Sequence, residues 1–454
     1  MIFKTVISIN KNHILNGIIF IGFIYFAILL IDVPIVTPIW ENFSDPNDYR
    51  GQSEIDLFSK RFFITPPWKG YTVRPFTIPL LFKLASSSFE RMFIFQKIIY
   101  CLCVFAFIVS VLKFLKNSYL KIIATFLFLF FFTWWSIVGW SQNILSESIS
   151  FSFFLLWMAV LFSYYRSKTI IKLISLIVIT VLFSFTRDTW PYLILLFFGM
   201  MFLFEIRTKA SKQKWGIVLV VFSIFLFIFQ NHTVSVGERT VLPVFNNLAG
   251  RIAQNSEYLN WFSQKGMPQR EQLKADFGNV VIDSREGKAI IYNRYYDSTY
   301  TELFKWIELN GKNTYQFFLL THFQYLSLND QNLDQLQRIF SSTTNIYYSK
   351  PYKFFHNANN VFPLFNVYVA LIFVLICVFL WYKSRELYLL LPAFFSLFLL
   401  VNVYLSYNAD AMEVERHLYL TTIGIELFSL LSLIFIANYT LKERFLVNNG
   451  GGNV

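Results

Sequence analysis

The sequence is poor in charged residues and in cysteine. Of its 454 residues only 15% are charged, whereas 56% are hydrophobic and 20% are aromatic. This composition leaves too few polar side chains to cover a water-facing surface, which excludes an ordinary soluble protein. The cysteines Cys101, Cys103 and Cys377 all lie within apolar runs. Their placement indicates neither a disulfide framework nor a metal site.

The motifs of soluble nucleotide and metal chemistry are also missing. No glycine spacing matches a phosphate-binding loop, no His-Glu-x-x-His motif occurs, and the histidines are scattered. The net charge of +12 comes from short basic clusters between apolar runs. Clusters in such positions contact anionic lipid headgroups. We therefore expect membrane lipids as partners and no nucleic acid.

Apolar runs of about 20 residues, the length that crosses a hydrocarbon core, recur along most of the chain. Each is predicted to be a helix, because lipid offers no partner to a free backbone amide. We predict an all-α membrane protein, a polytopic bundle of about ten transmembrane helices. The predicted spans are residues 14–36, 91–113, 119–140, 147–165, 170–186, 190–206, 215–230, 362–382, 386–406 and 417–438.

Lysine and arginine in the short connections predict the orientation. Basic clusters occupy alternate connections, and the positive-inside rule places these in the cytoplasm together with both termini. They contain Lys4 and Lys11; Lys113, Lys116 and Lys121; Arg166, Lys168 and Lys172; Arg207, Lys209, Lys212 and Lys214; Lys383 and Arg385; and Lys442 and Arg444. The outward segments are then residues 37–90, 141–146, 187–189, 231–361 and 407–416.

This topology divides the chain into four parts. We predict an N-terminal transmembrane module at residues 1–230, a small, mainly helical extracytoplasmic domain at 231–361, a C-terminal transmembrane module at 362–440 and a cytoplasmic tail at 441–454. Near the end of the third span, Trp134, Trp135 and Trp140 are typical of an interfacial aromatic belt.

The first outer loop, residues 37–90, contains the main candidate residues. Asp45, Asp48 and Tyr49 lie in a turn-forming sequence, where the carboxylates either cap a following helix or act as a base for an acceptor hydroxyl. Ile55, Phe58 and Phe62 recur at helical spacing and predict an amphipathic helix on the membrane. A second juxtamembrane helix is predicted from Pro75 to Leu84.

Lys69 and Arg74 follow in the same loop. The planar guanidinium of Arg74 matches phosphate oxygens, but it is equally suited to pairing with Asp45 or to anchoring at headgroups. Further charges mark the other outer turns, where each is a site candidate or an interfacial anchor. These are Glu147, Arg187, Asp188, Glu413, Arg416 and His417.

Together these features resemble the GT-C superfamily of integral membrane glycosyltransferases, which take sugars from polyprenyl-phosphate carriers. The resemblance lies in the many-span architecture, the Asp45-Pro46-Asn47-Asp48-Tyr49 loop, Arg74-Pro75, Ser146-Glu147 and the turn from Asp410 to His417. It covers residues 1–230 in layout and is looser beyond them. The Asp-Glu pair of protein mannosyltransferases is absent from the sequence.

The resemblance implies a bacterial inner-membrane enzyme that transfers a sugar from a polyprenyl-phosphate donor to an extracytoplasmic glycan, lipid or polymer. Asp48, or Asp45, would act near the acceptor, while Arg74, Lys69, Arg187 and Arg416 are candidates for the donor phosphate. No cofactor is indicated, although two or three outer carboxylates are enough to admit a divalent metal.

Two other functions remain open. A polysaccharide polymerase or ligase of the O-antigen or capsule type would also use outward arginines and a large outer loop, with a pyrophosphate-linked donor. A transporter or flippase would place charges or broken helices near the middle of the membrane. The spans are mostly apolar at their centres, with Glu426 the clearest exception.

Overall fold

In a computed structural model, the structure describes residues 11–33, 44–64, 73–207, 213–280, 284–322, 367–409 and 414–450. Within these ranges the secondary structure is helical and no strand occurs. The predicted all-α architecture is therefore confirmed.

All ten predicted spans contain helix. By length and composition, five helices of the described ranges can cross a membrane, and a sixth can if a bent pair counts as one span. Shorter apolar helices occupy the remaining predicted spans. The bundle helices are α1 (Lys11–Ile31), α5 (Phe89–Leu112), α6 (Ser118–Phe132), α7 (Trp135–Val138), α8 (Ser146–Arg166), α9 (Ile170–Ser184), α10 (Trp190–Arg207), α11 (Gln213–Val236), α18 (Val367–Ser384), α19 (Leu391–Ala409) and α20 (Val414–Gly450).

The outward faces of these helices are apolar. Phe20 and Ile21 in α1 are 63% and 67% exposed, and Phe225 and Ile228 in α11 are 61% and 60% exposed. Large apolar side chains over such a surface would be unfavourable in water, but they match a hydrocarbon solvent. The chain is therefore a polytopic membrane protein.

The predicted third span is broken. α6 ends at Phe132, the chain bends by 54°, and α7 with the following 3₁₀ turn, Gly139–Gln142, continues in a new direction. Trp134, Trp135 and Trp140 are almost fully buried beside this bend. The prediction of an interfacial belt for these tryptophans is wrong, because they pack into the bundle instead of lining its rim.

The first outer loop also differs from its prediction. Its helices are α2 (Ser44–Ser53), α3 (Lys60–Phe63) and α4 (Thr77–Leu84). The predicted turn around Asp45 is the first turn of α2, since aspartate and proline are both tolerated at a helix start. The amphipathic helix predicted through Phe58 is reduced to the single turn α3, and the predicted helix ending at Leu84 is present.

The predicted outer turns meet at one end of the bundle. The Thr77 N–H and hydroxyl donate to Phe185 O at 3.2 Å and Leu182 O at 2.9 Å. Arg251 donates to Tyr407 O at 2.5 Å. These bonds join the first outer loop to the turn after α9, and the domain after α11 to the end of α19. We call this the outer end.

Basic connections meet at the opposite end. Lys168 pairs with Glu205 of α10, and Lys442 Nζ lies 2.8 Å from Glu386 Oε1. The Lys116 N–H donates to Asn438 Oδ1 at 3.1 Å. Basic connections therefore lie together at the end opposite the outer end, and the assignment of this end to the cytoplasm stays a prediction.

A separate cluster of helices follows α11, which runs on to Val236. It has its own apolar core, centred on Phe245, Phe262, Phe277 and Leu303. Its helices are α12 (Val241–Asn247), α13 (Ser256–Gln264), α14 (Arg270–Phe277), α15 (Arg285–Tyr292), α16 (Thr301–Trp306) and α17 (Lys312–Thr321). At the other terminus, α20 extends through the predicted tail to Gly450.

Candidate functional site

Asp45, Asp48 and Arg74 form a compact ion cluster at the outer end. The carboxylates are three residues apart on α2 and therefore share one helix face. Arg74 Nη2 donates to Asp45 Oδ1 at 2.5 Å and to Asp48 Oδ2 at 2.9 Å, while its Nε donates to Asp48 Oδ2 at 3.2 Å. The side chains of Asp45 and Asp48 are 9% and 6% exposed, against 25% for Arg74.

The charge of Arg74 is stabilised by this surrounding. Burial alone lowers the pKa of the guanidinium, but Asp45, Tyr49 and Asp48 outweigh it and the pKa lies above its ordinary value. Tyr49 is buried and stacks on Phe82 of α4 with ring centroids 6.5 Å apart. With one arginine and two carboxylates, the cluster has a formal charge of −1.

The backbone around the cluster is held by side chains. Gln52 Oε1 accepts the Arg74 N–H at 2.9 Å, and Gln52 Nε2 donates to Arg74 O at 3.0 Å. Lys83 Nζ donates to Ser53 O at 3.0 Å and to Ile55 O at 2.8 Å, at the carboxyl end of α2 where a cation is favourable. The extended segment that carries Arg74 is thereby fixed against α2.

Glu147 and Arg187 form a second pair. Glu147 lies in the first turn of α8, where the helix dipole favours an acid, and it is fully buried. Arg187 Nη1 lies 3.5 Å from Glu147 Oε1, and its side chain is 12% exposed. A buried carboxylate requires such a partner, because an uncompensated charge is costly in a low-dielectric interior.

The ion cluster and the Glu147–Arg187 pair lie on elements that are in direct contact. Phe76 stacks on Phe185 with ring centroids 4.6 Å apart, and Thr77 hydrogen-bonds to the same turn. Arg74 and Arg187 each lie within three residues of these contacts. The fold therefore places the ion cluster beside the turn that contains Arg187.

Gln96 of α5 supports the segment before Glu147. The fully buried Gln96 Nε2 donates to Ser141 O at 2.9 Å and Asn143 O at 3.1 Å, at the end of the bent segment. This links α5 to the chain just before α8 begins at Ser146. No sequence motif marks Gln96, because these acceptors are carbonyls more than 40 residues away.

We expect Gln96→Met to lower the stability of the bundle by roughly 1–3 kcal/mol, because it removes the donor to two buried carbonyl oxygens. The midpoint of thermal unfolding in detergent measures the effect, with Gln264→Met as control, since Gln264 is exposed on α13. Equal midpoints for the two variants would show that the Gln96 hydrogen bonds contribute nothing.

A third group surrounds Asp188. Arg239 Nη2 lies 3.0 Å from Asp188 Oδ1 and donates to Thr233 Oγ1 at 3.0 Å. Gln230 Nε2 also donates to Asp188. Sequence reasoning missed Arg239, because it follows Glu238 after a long apolar helix and no motif marks the two residues.

The other predicted site residues are placed less completely. Lys69 and Glu413 lie outside the described residues. The structure places Arg416 and His417 in the first turn of α20 and describes nothing further of them.

The described residues do not by themselves make up a metal site. No three His, Cys, Asp or Glu side chains gather there closely enough to hold an ion. Asp45 and Asp48 are two carboxylates that already share Arg74, so a cation would need further ligands.

No protein-family model matches the chain, and no curated protein matches it. Similar solved structures include two of an oligosaccharyltransferase from Archaeoglobus fulgidus. One, in complex with an inhibitory peptide and a dolichol-phosphate, is 12% identical with a TM-score of 0.43 and covers 98% of this chain and 53% of that one. The other, in the apo form, is 10% identical with a TM-score of 0.43 and covers 96% and 52%.

The chain thus spans about half the length of these structures.

Proposed function

We propose that this protein is a membrane glycosyltransferase that moves a sugar from a polyprenyl-phosphate donor to an extracytoplasmic acceptor in the bacterial cell envelope. The observation that carries the proposal is the buried cluster of Asp45, Asp48 and Arg74 beside the turn of Arg187. Carboxylates and cations at one end of a lipid-exposed bundle suit a substrate whose reactive bond lies at the membrane surface.

The reaction needs a base and a site for the leaving phosphate. The acceptor hydroxyl oxygen forms a bond to the anomeric carbon as the bond from that carbon to the phosphate oxygen breaks. The hydroxyl proton passes to a carboxylate, and the polyprenyl phosphate leaves with the bonding electron pair. Positioning and charge stabilisation supply most of the rate, because the donor already contains a good leaving group.

We assign the base to Asp48 and its orientation to Arg74. Arg74 donates to Asp48 Oδ2 from both Nε and Nη2, which holds that carboxylate oxygen in place. Asp45 shares the same guanidinium and is the second candidate base. Because Arg74 is engaged by two carboxylates, whereas Arg187 pairs with Glu147 at the longer distance of 3.5 Å, we assign the phosphate to Arg187.

The sugar composition and chain length of the envelope glycans in a deletion strain test this function in the cell. We expect loss of one sugar substituent from an envelope glycan, lipid or polymer, restored by the wild-type gene. Shortened chains of otherwise unchanged composition would indicate a polymerase or ligase instead. Envelope glycans identical to those of the parent strain would contradict both functions.

A further inference from the structure

Lys312 lies at the junction between α17 and the outer end of α11. Its Nζ donates to Asn231 Oδ1 at 3.1 Å, and the same oxygen accepts from Tyr192 OH at 2.8 Å. Lys312 is half-buried and forms no ion pair with any residue that the structure describes. A half-buried ammonium here has a neutral amide oxygen as its hydrogen-bond partner.

The carboxylate near Lys312, that of Asp188, already has other partners. Asp188 is bound by Arg239 and Gln230, and Arg239 adds a second positive charge close to Lys312. Burial lowers the pKa of Lys312; Asp188 acts against that shift and Arg239 adds to it. The described groups at the junction, two cations and one carboxylate, have a net positive charge that a bound anion would balance.

An apolar surface leads up to this junction. Ile228 lies three residues before Asn231 and therefore on the same face of α11, and it is 60% exposed. Phe225 lies one turn further from the outer end and is 61% exposed. A ligand with a hydrocarbon chain along these residues would present its head group to Lys312.

We propose that Lys312, with Arg239 close to it, binds the phosphate of a lipid at the outer end of α11. An ammonium has three donors, so two remain for phosphate oxygens after the bond to Asn231. Such a phosphate belongs either to the polyprenyl donor, in which case this inference rests on the proposed function, or to an ordinary anionic phospholipid.

Binding of polyprenyl phosphate without sugar to the purified full chain tests this site. We expect Lys312→Gln to raise Kd at least about 10-fold, the effect of losing a charged hydrogen bond. Lys312→Arg should stay within a few-fold of wild type, since it retains the charge. Lys305→Gln is the matched control, because Lys305 is exposed on α16; its Kd should not change.

Two further probes separate the sources of the phosphate. Uncharged polyprenol should bind weakly and without dependence on Lys312. If phosphatidylglycerol competes as well as polyprenyl phosphate, the site takes a phospholipid headgroup; if it does not compete, the site takes the polyprenyl carrier.

The stability of the ligand-free protein controls for folding. Lys312→Gln should unfold at the wild-type temperature or above it, because it removes a half-buried charge that lacks an ion partner. A folded Lys312→Gln protein that binds polyprenyl phosphate with wild-type Kd would overturn the inference. Lys312-dependent binding without any sugar transfer would leave the site in place and reject the proposed function.

Discussion

Asp48→Asn should reduce the rate of sugar transfer by about 100-fold or more, the usual contribution of a general base. The amide keeps the shape of the carboxylate but does not accept the proton of the acceptor hydroxyl. Arg74 retains Asp45 as a partner, so the fold should survive. Initial rates with a polyprenyl-phosphate sugar and saturating acceptor measure the loss.

Asp56→Asn is the matched control. Asp56 lies in the same outer loop but is exposed, and its Oδ1 accepts the Phe58 N–H at 3.1 Å. Its rate should equal that of wild type. If Asp48→Asn retains the full rate while Asp45→Asn loses it, the base is Asp45; if both retain it, the acidic cluster has no part in the chemistry.

Arg74→Met should lower the free energy of unfolding by about 3 kcal/mol. This is the lower end of the range of destabilisation that follows the loss of one partner from a buried ion pair. The lower end applies because Arg74 is 25% exposed, whereas the carboxylates left behind are nearly buried. Thermal unfolding in detergent, followed by helical circular dichroism, measures the change.

A second substitution tests the cause. Adding Asp45→Asn and Asp48→Asn to Arg74→Met should restore much of the stability, because it removes the unpaired charges. Arg50→Met is the control, since Arg50 is an exposed arginine on α2, the helix that contains Asp45 and Asp48. Its Cζ lies 5.1 Å from the centroid of the Phe89 ring. Additive losses in the triple variant would contradict the ion-cluster account.

The spans could be predicted from the sequence because their length follows from the thickness of the membrane alone. The bend after Phe132 could not, since no proline or charged residue marks its position. Its geometry depends on long-range contacts such as those of Gln96 with Ser141 and Asn143. A local pattern contains no information on such contacts.

The lack of long-range information in a local pattern also explains which site residues the sequence indicated and which it did not. Asp45, Asp48 and Arg74 were candidates because they follow a span in the same outer loop, although the choice between pairing and phosphate binding needed the structure. Arg239 and Lys312 are 73 residues apart in a long segment rich in other charges. Folding brings both of them to Asp188.

The central claim is tested most directly by the fate of labelled sugar on a purified polyprenyl-phosphate donor, incubated with the reconstituted wild-type protein and envelope acceptors. The account predicts donor consumption matched by glycosylated product, with little product from Asp48→Asn. An intact donor in the presence of wild-type protein that binds polyprenyl phosphate would contradict it.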